Sequence, residues 1–539
     1  MKRIISGLAS FLVLACFGTA LFAFGGAEKK DTIVYALYQT PNGLFNPLIA
    51  ELREDEGVND LVYNSLIEIK SDHTLENALA TSYKFSDDGK TLEFTLCTGV
   101  TWHDGTPFTA EDVVFTYESL ADKDYPGALF SRVQGIKGAK DFQAGKTKKI
   151  EGIKVSGNKI ILEFLEPQAT ALTKLATLKI IPKHIWSKVK ISEWKNAFNL
   201  LHNPIGTGAY KLDKFESGSG VFFSANEKYF RGKPIMPHFY MKVFNQATVV
   251  AELTRGNVDI AEITDPKGEE VKLLEAKGIK LINYSHKLIQ YMGFNCTSPI
   301  LGNLKVRKAF AHAIDRKSIV KNLLGGHGVI CNTVLLPSSW AYPKDGLIDY
   351  TRDIQKAKAL MKEAGYTDTN GDGYLDKNGK KLSLALIIPT GDTIREQTGS
   401  IIQSNLKDLG IEIKLEPKPM SAVMDEVVHP KEKNYDLFLM GNPADLDPNP
   451  SDNWYSDSPW NFVRYINPKT DKLIDEGLVE TNFQKRASIY HEFGKIVNQD
   501  LPWLPLYIKT LTMACSPTLK NYEPNTFVGF YNVHKWQVK

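Results

Sequence analysis

Residues 79–120, LATSYKFSDDGKTLEFTLCTGVTWHDGTPFTAEDVVFTYESL, leave the backbone few choices. Leu92, Phe94 and Leu96 alternate with polar neighbours, the period of a half-buried strand. Asp87-Asp88-Gly89 stands where a hairpin must turn, because Asp-Gly accepts the positive-φ positions that such turns demand. Asp104-Gly105 supplies a second turn, and Pro107 keeps Thr106 extended. Thr109 followed by Asp112 resembles a capping box, with Glu111 and Asp112 in the first turn, where a helix dipole favours anions. Val113, Val114, Tyr117 and Leu120 then recur at helical spacing. His103 beside Asp104, with an acidic pair downstream, invites an acid–base reading. Each of these charges already has a local structural task, however, and the structural reading is preferred.

Such alternation continues through the chain. Segments 31–38, 280–295 and 381–389 are rich in β-branched or aromatic residues and read as strands. Helices are expected around 250–256, 354–364, 395–409 and 484–499. In 303–324, Val306, Phe310, Ala313, Ile314, Ile319 and Leu323 form an apolar stripe. His312 then falls between Lys308 and Arg316 on the opposite, solvated face, a poor place for a ligand. No internal repeat or low-complexity tract interrupts the pattern. At 539 residues the chain exceeds one small core, and mixed strands and helices over this length make an α/β protein of several lobes. The 65 basic and 62 acidic residues are scattered, so no concentrated basic face is expected and nucleic acid is excluded as a partner.

The first residues, MKRIISGLASFLVLACFGTALFA, combine a basic start, an apolar run and a small residue at Ala23. They read as an export signal spanning 1–23. Val13-Leu14-Ala15-Cys16 is a passable lipidation site, which would tether the chain through Cys16. The residues after it (Phe17, Leu21, Phe22, Phe24) stay apolar, which favours simple cleavage. An exported chain permits disulfides among Cys97, Cys296, Cys331 and Cys515. Cys296–Cys331 is the pair to test first, against four unpaired thiols.

The 79–120 segment, followed in order by NPIGTGAYKL (203–212), VRKAFAHAIDRKSIV (306–320), AGYTDTNGDGYLDKNGKKL (364–382), FVRYINPKTDKLIDEG (462–477) and LPWLPLYIK (501–509), resembles the family 5 extracellular solute-binding receptors that feed oligopeptide and dipeptide ABC importers. The start VYALYQTPNGLFNPL (34–48) fits as well, whereas Cys97 stands where the family usually carries a basic residue. The resemblance implies a two-lobed periplasmic-binding-protein clamshell of the class II type. Residues 31–60, 200–275 and 500–539 would form one lobe, 61–199 an extra subdomain of it, and 276–499 the other lobe. It also implies a monomeric, cofactor-free, periplasmic receptor that delivers a peptide or similar solute to a membrane permease. Gly206 and Gly208 suit a tight backbone passage beside the cleft, as a hinge or as plain turn glycines.

A peptide offers a cation, an anion and amides between them. Asp445 stands where peptide-binding relatives place the carboxylate for the α-ammonium, although Asn442 replaces a usual aromatic and Pro443 alters the approach. The alternative is a turn-initiating aspartate, the reading preferred for Asp447 before Pro448. Phe45, Trp454, Tyr455 and Trp460 are candidate pocket walls, or else core. Asp368, Asn370, Asp372 and Asp376 match calcium-loop positions with Gly373 at the sixth, but Gly379 replaces the bidentate glutamate, so a structural turn is preferred. No Gly-x-Ser-x-Gly elbow, phosphate loop or His-Glu-x-x-His is present, and the eleven histidines are dispersed. A glycosidase-like carboxylate pair stays open, as residues can meet only in space. The expected function is therefore a receptor, not an enzyme. An oligosaccharide stacked on Trp454 and Trp460 is the rival ligand, nickel or haem weaker ones, and a secreted hydrolase the rival class.

Overall fold

The structure, a computed structural model, describes residues 30–263, 268–428 and 435–539. The export segment at 1–23 and Cys16 lie outside the described residues.

One eleven-stranded sheet threads the molecule. At one end Thr32–Leu37 runs parallel to His238–Val243 and Ile260–Ile263, with the hairpin Tyr210–Glu216 and Gly220–Ala225 beyond. At the other end Ser383–Pro389 runs parallel to Glu412–Lys418 and to Leu437–Pro443. The helix Thr393–Asp408 connects the first two of these and packs on them, as a parallel pair requires.

Between the ends lie two long antiparallel strands, Lys280–Phe294 and Trp503–Cys515. Residues 280–285 pair with 510–515, and 289–293 pair with 503–508, with the register shifted between Ser285 and Ile289. The shift separates two hydrophobic cores. Ile282, Tyr284 and Met513 pack with Ile33, Phe239 and Trp536, whereas Met292, Leu504 and Tyr507 pack with Phe310, Leu386 and Ile402. A third cluster around Tyr291, Phe438 and Tyr490 thickens the second lobe. The fold is thus a two-lobed α/β clamshell whose halves share a strand pair. The expected boundaries at 276 and 500 fall just before these strands, while the division between cores runs through them.

A four-stranded sheet, Ala80–Phe85, Thr91–Leu96, Lys159–Glu163 and Ile153–Ser156, carries the helix Ala110–Leu120 and merges its apolar face into the first lobe's core. Here the opening stretch resolves. Leu92, Phe94 and Leu96 are buried, and Gly89 and Gly105 take φ of +66° and +89°. One Asp112 oxygen accepts from the Thr109 amide at 2.9 Å, and the other accepts from the Lys183 amide at 2.9 Å. Asp104 accepts from the Thr106 amide and meets His184 Nε2 at 2.8 Å. His103 Nε2 lies 3.0 Å from the Gly208 carbonyl, and its Nδ1 accepts from the Gly206 amide. These are the bonds of a chain turning corners.

Gly206 and Gly208 form a tight backbone passage against Leu61 and Val62. A Cβ on either would collide with the carbonyl oxygens of Val62 or Leu61, and the Gly208 amide donates to Val62 at 2.7 Å. Both sit inside the first lobe, away from the strand crossing.

Two expectations are corrected. The helix over 303–324 stops at Ala313, where Ile314 turns extended, and resumes as short turns over Arg316–Leu323. Because Ile354–Glu363 covers its outer side, His312 is buried rather than solvated: 4% is exposed, and Nδ1 lies 2.9 Å from the Thr351 carbonyl. The four cysteines Cys97, Cys296, Cys331 and Cys515 are free thiols, so Cys296 and Cys331 are not joined. Cys331 instead donates to the Thr333 and Leu335 carbonyls, and burial pushes its pKa up to about 12.

Gly208→Ala is expected to cost about 1–3 kcal/mol by overpacking, measured by urea denaturation. Gly268→Ala, with no atom of the described residues near its added methyl, serves as the near-neutral control. Burial lowers the His103 pKa from 6.5 to about 4, so the unfolded chain binds its proton first as the solution is acidified. The resulting stability is complete above pH 6.5 and is lost as pH falls towards about 4. In His103→Gln the stability–pH slope across that window should be shallower.

Candidate solute-binding site

The helix Arg53–Val62 carries its apolar residues Val58, Leu61 and Val62 into the first core, each fully buried. Of its polar residues Glu56 is exposed and Asp60 half-buried, whereas Asn59 is buried and Asp55 is fully buried, accepting the Gly43 amide at 3.0 Å. Gly57 lets the C-terminal loop cross close by: a Cβ there would lie 3.3 Å from the Phe530 ring. On either side of this contact opens a cavity, one of about 310 Å³ and one of about 380 Å³. Glu56, Asp60, Phe527, Val528 and Phe530 line both. Asn59, Arg132 and Lys179 extend the first; Tyr35, Arg53, Tyr284 and Lys287 extend the second.

Most charges around these cavities are matched. Asp60 pairs with Lys179 at 3.2 Å, Arg53 with Glu262 at 2.8 Å, and Arg231 with both Glu68 and Glu76. Among the described residues, Glu56, Arg132, Lys287 and Asp445 form no ion pair of their own, yet they act on one another. Arg132 feels Asp445 and Glu56, and Glu56 feels Lys287 and Arg132. The surrounding protein mass, seconded by Asp60, holds the Glu56 pKa above the ordinary carboxylate value, against the pull of Lys287, Arg132 and Arg53. Glu56 comes from the first lobe, Arg132 from the subdomain, Lys287 from a crossing strand and Asp445 from the second lobe. The Ala444 amide donates to the Lys287 carbonyl at 2.8 Å, which ties the Asp445 loop to that strand. Two anions and two cations thus converge at the seam.

The expected site residues divide. Asp445 is exposed and lines a smaller hollow of about 60 Å³ with Asn442, Pro443 and Trp454. Phe45 is corrected from wall to core: it is fully buried, 5.1 Å from the Phe215 ring, because the 42–48 loop tucks under the first helix. Trp454 touches the hollow but is 4% exposed, packed on Trp503 at 4.9 Å and on Phe493. The Tyr455 hydroxyl donates to Asp475 at 2.6 Å, and Trp460 is 49% exposed beside Phe462. In the 368–376 loop the Asp368 carboxylate accepts the Gly371 and Gly373 amides, and Asp376 accepts the Thr369 amide and hydroxyl. Those oxygens close the turn. Glu56, Asn59, Arg132 and Lys287 were missed. The only signal was the cluster Glu54, Asp55, Glu56, Asn59 and Asp60 on one helix, and a charged helix face is ordinarily solvated.

Asp447 does more than initiate a turn. It accepts both Arg486 Nη atoms at 2.6 and 2.7 Å, the two side chains being 8% and 7% exposed, and it also accepts the Thr173 hydroxyl of the subdomain at 3.1 Å. The Ala169 amide donates to the Leu478 carbonyl nearby, and His73 Nδ1 lies 3.2 Å from the Ser338 carbonyl. The lobes therefore touch at points around the seam as well as through the shared strands.

Two lobes on a shared strand pair, with cavities and unpaired charges at their seam, have the architecture of a solute-binding protein. The sequence profile of the bacterial extracellular solute-binding proteins, family 5, matches residues 74–462. The oligopeptide-binding protein AppA of Bacillus subtilis (strain 168) is 30% identical over 550 residues, covering 99% of this chain and 98% of that one. Heme-binding protein A of Haemophilus influenzae is 28% identical, covering 94% and 93%. The structure of Bacillus subtilis AppA in complex with a nonapeptide matches with a TM-score of 0.66 at 27% identity, covering 95% of this chain and 99% of that one. The chain belongs to the family 5 extracellular solute-binding proteins, which are solute receptors.

Removing the Asp447 carboxylate strands a buried guanidinium, so Asp447→Ala should destabilise the second lobe by about 3–5 kcal/mol in chemical denaturation. The double variant Asp447→Leu/Arg486→Met should recover most of that loss.

Proposed function

We propose that this protein captures peptides between its lobes and delivers them to the permease of an ABC importer. The observation that carries the proposal is the seam itself: unmatched Glu56 and Asp445, Arg132 and Lys287, drawn from both lobes, complement a molecule with a cation and an anion on an amide chain. The relatives support it, since AppA is an oligopeptide-binding protein seen with a nonapeptide. Asp445 is proposed as the anchor of the ligand's ammonium, with Arg132 facing it until ligand arrives.

The moving bodies are residues 31–60, 200–275 and 500–539 with 61–199, against 276–499, flexing where the shared strands shift register. A ligand that touches both bodies only in the shut form draws the population towards that form. The closed pair of lobes is what the permease would read. A monomer working in the periplasm, freed by cleavage near Ala23 or tethered through Cys16, suits this role, and among the described residues no helix is long and apolar enough to cross a membrane.

The processed protein should melt higher with peptides, by about 2.7 kcal/mol of added stability at a hundredfold excess over Kd. Asp445→Ala should lose a charge-assisted bond of about 1.5–3 kcal/mol, a Kd raised roughly ten- to hundredfold. Melting that responds to oligosaccharides alone would replace peptide by sugar. Turnover of labelled peptide by the clean protein would overturn the receptor reading, as would an unmoved melting point with no ligand in native mass spectrometry.

A further inference from the structure

Glu56 and Asn59 stand three residues apart on the helix Arg53–Val62, so their side chains rise together from one face. Both line the first cavity. Asn59 is 3% exposed, and neither its Nδ2 nor its Oδ1 has a hydrogen-bond partner. Buried carboxamides are ordinarily satisfied, and one that is not marks either strain or a place kept for something else. Neighbours on the same wall are provided for. Asp60 has Lys179, and Asn64 donates to Glu68 at 2.7 Å and accepts from Thr207 at 3.1 Å. Among the described helix residues that line the cavity, Glu56 has no ion pair and Asn59 no hydrogen bond, although long basic side chains stand near Glu56.

The chemistry of the two groups selects the occupant. A carboxamide offers donors and an acceptor side by side, and only a group that returns both, such as a peptide unit, satisfies it. A carboxylate accepts only, and a charged donor serves it best. At about 310 Å³ the cavity lies at the small end of ligand sites, suited to one long side chain and the amide that bears it.

Resting on the peptide reading above, we propose that Asn59 and Glu56 form a second ligand subsite, on the first lobe across the seam from Asp445. The Asn59 carboxamide pairs with a peptide unit of the ligand, and Glu56 receives a lysine or arginine side chain. The subsite gives the receptor a preference for basic peptides at one position along the chain.

The test is calorimetric titration of alanine pentapeptides in which each position in turn is lysine or its uncharged isostere norleucine. At one position lysine should bind the wild type roughly five- to tenfold tighter. Glu56→Gln should erase that difference, so that within the variant each lysine peptide binds no tighter than its norleucine counterpart. Asn59→Leu should weaken both series about tenfold, while the ligand-free melting temperature holds or rises, because an unpartnered polar group has been removed. The subsite is overturned if the wild type shows no lysine preference at any position, or if the preference survives Glu56→Gln. It is also overturned if Asn59→Leu lowers the ligand-free melting temperature while affinities are retained. Failure of every pentapeptide to bind the wild type would instead overturn the peptide reading on which the subsite stands.

Discussion

The strand pair Lys280–Phe294 and Trp503–Cys515 is the element on which the rest depends. Backbone ladders are stiff along their length, and these two strands carry one ladder through both halves of the molecule. A fused body would result if the register ran unbroken. The shift between Ser285 and Ile289 instead interrupts the pairing where the cores separate, and a bulged strand bends more readily than a regular one. Each half keeps its own core, so flexing at the crossing need not disturb packing in either. Lys287 sits within the interrupted stretch and lines the second cavity.

Charge at the seam follows from that arrangement. Within each lobe some buried ions are matched: Arg231 has two carboxylates, and Arg486 has Asp447 in a two-bond fork. The seam gathers charges of both signs that form no ion pair among the described residues. Under the proposed function, such groups would cost stability while empty and return it when a complementary solute arrives. The proposed subsite would extend the principle from charge to hydrogen bonding, because the Asn59 carboxamide is buried without a partner. The Thr173–Asp447 bond shows the complementary device, in which a carboxylate already neutralised by Arg486 also reaches across to the subdomain.

Local patterns were legible because they depend on neighbours in sequence. Asp87-Asp88-Gly89, Asp104-Gly105 and the Thr109–Asp112 cap each specify a backbone geometry through side chains within three residues, and all appear as read. The ordered motifs from 79 to 509 likewise carried the family and, with it, the clamshell. Legibility failed wherever a second element covers the first. His312 has basic neighbours on its helix face, so it looked solvated until Ile354–Glu363 packed over it. Phe45 and Trp454 are aromatic residues near the right motifs, yet each ring is claimed by the core that its loop closes.

What the amino-acid order determined by itself was the strands, turns and helix starts of the segments quoted above, and with them the family pattern. Such features are written in periods of two and 3.6 residues and in turn residues at adjacent positions. Only the tertiary structure decided which charges are left over. Glu56, Arg132, Lys287 and Asp445 are far apart in the chain, and each is an ordinary polar residue in its own segment. Their meaning lies in which neighbours have been matched and which have not, and that difference exists only once the lobes have folded against each other.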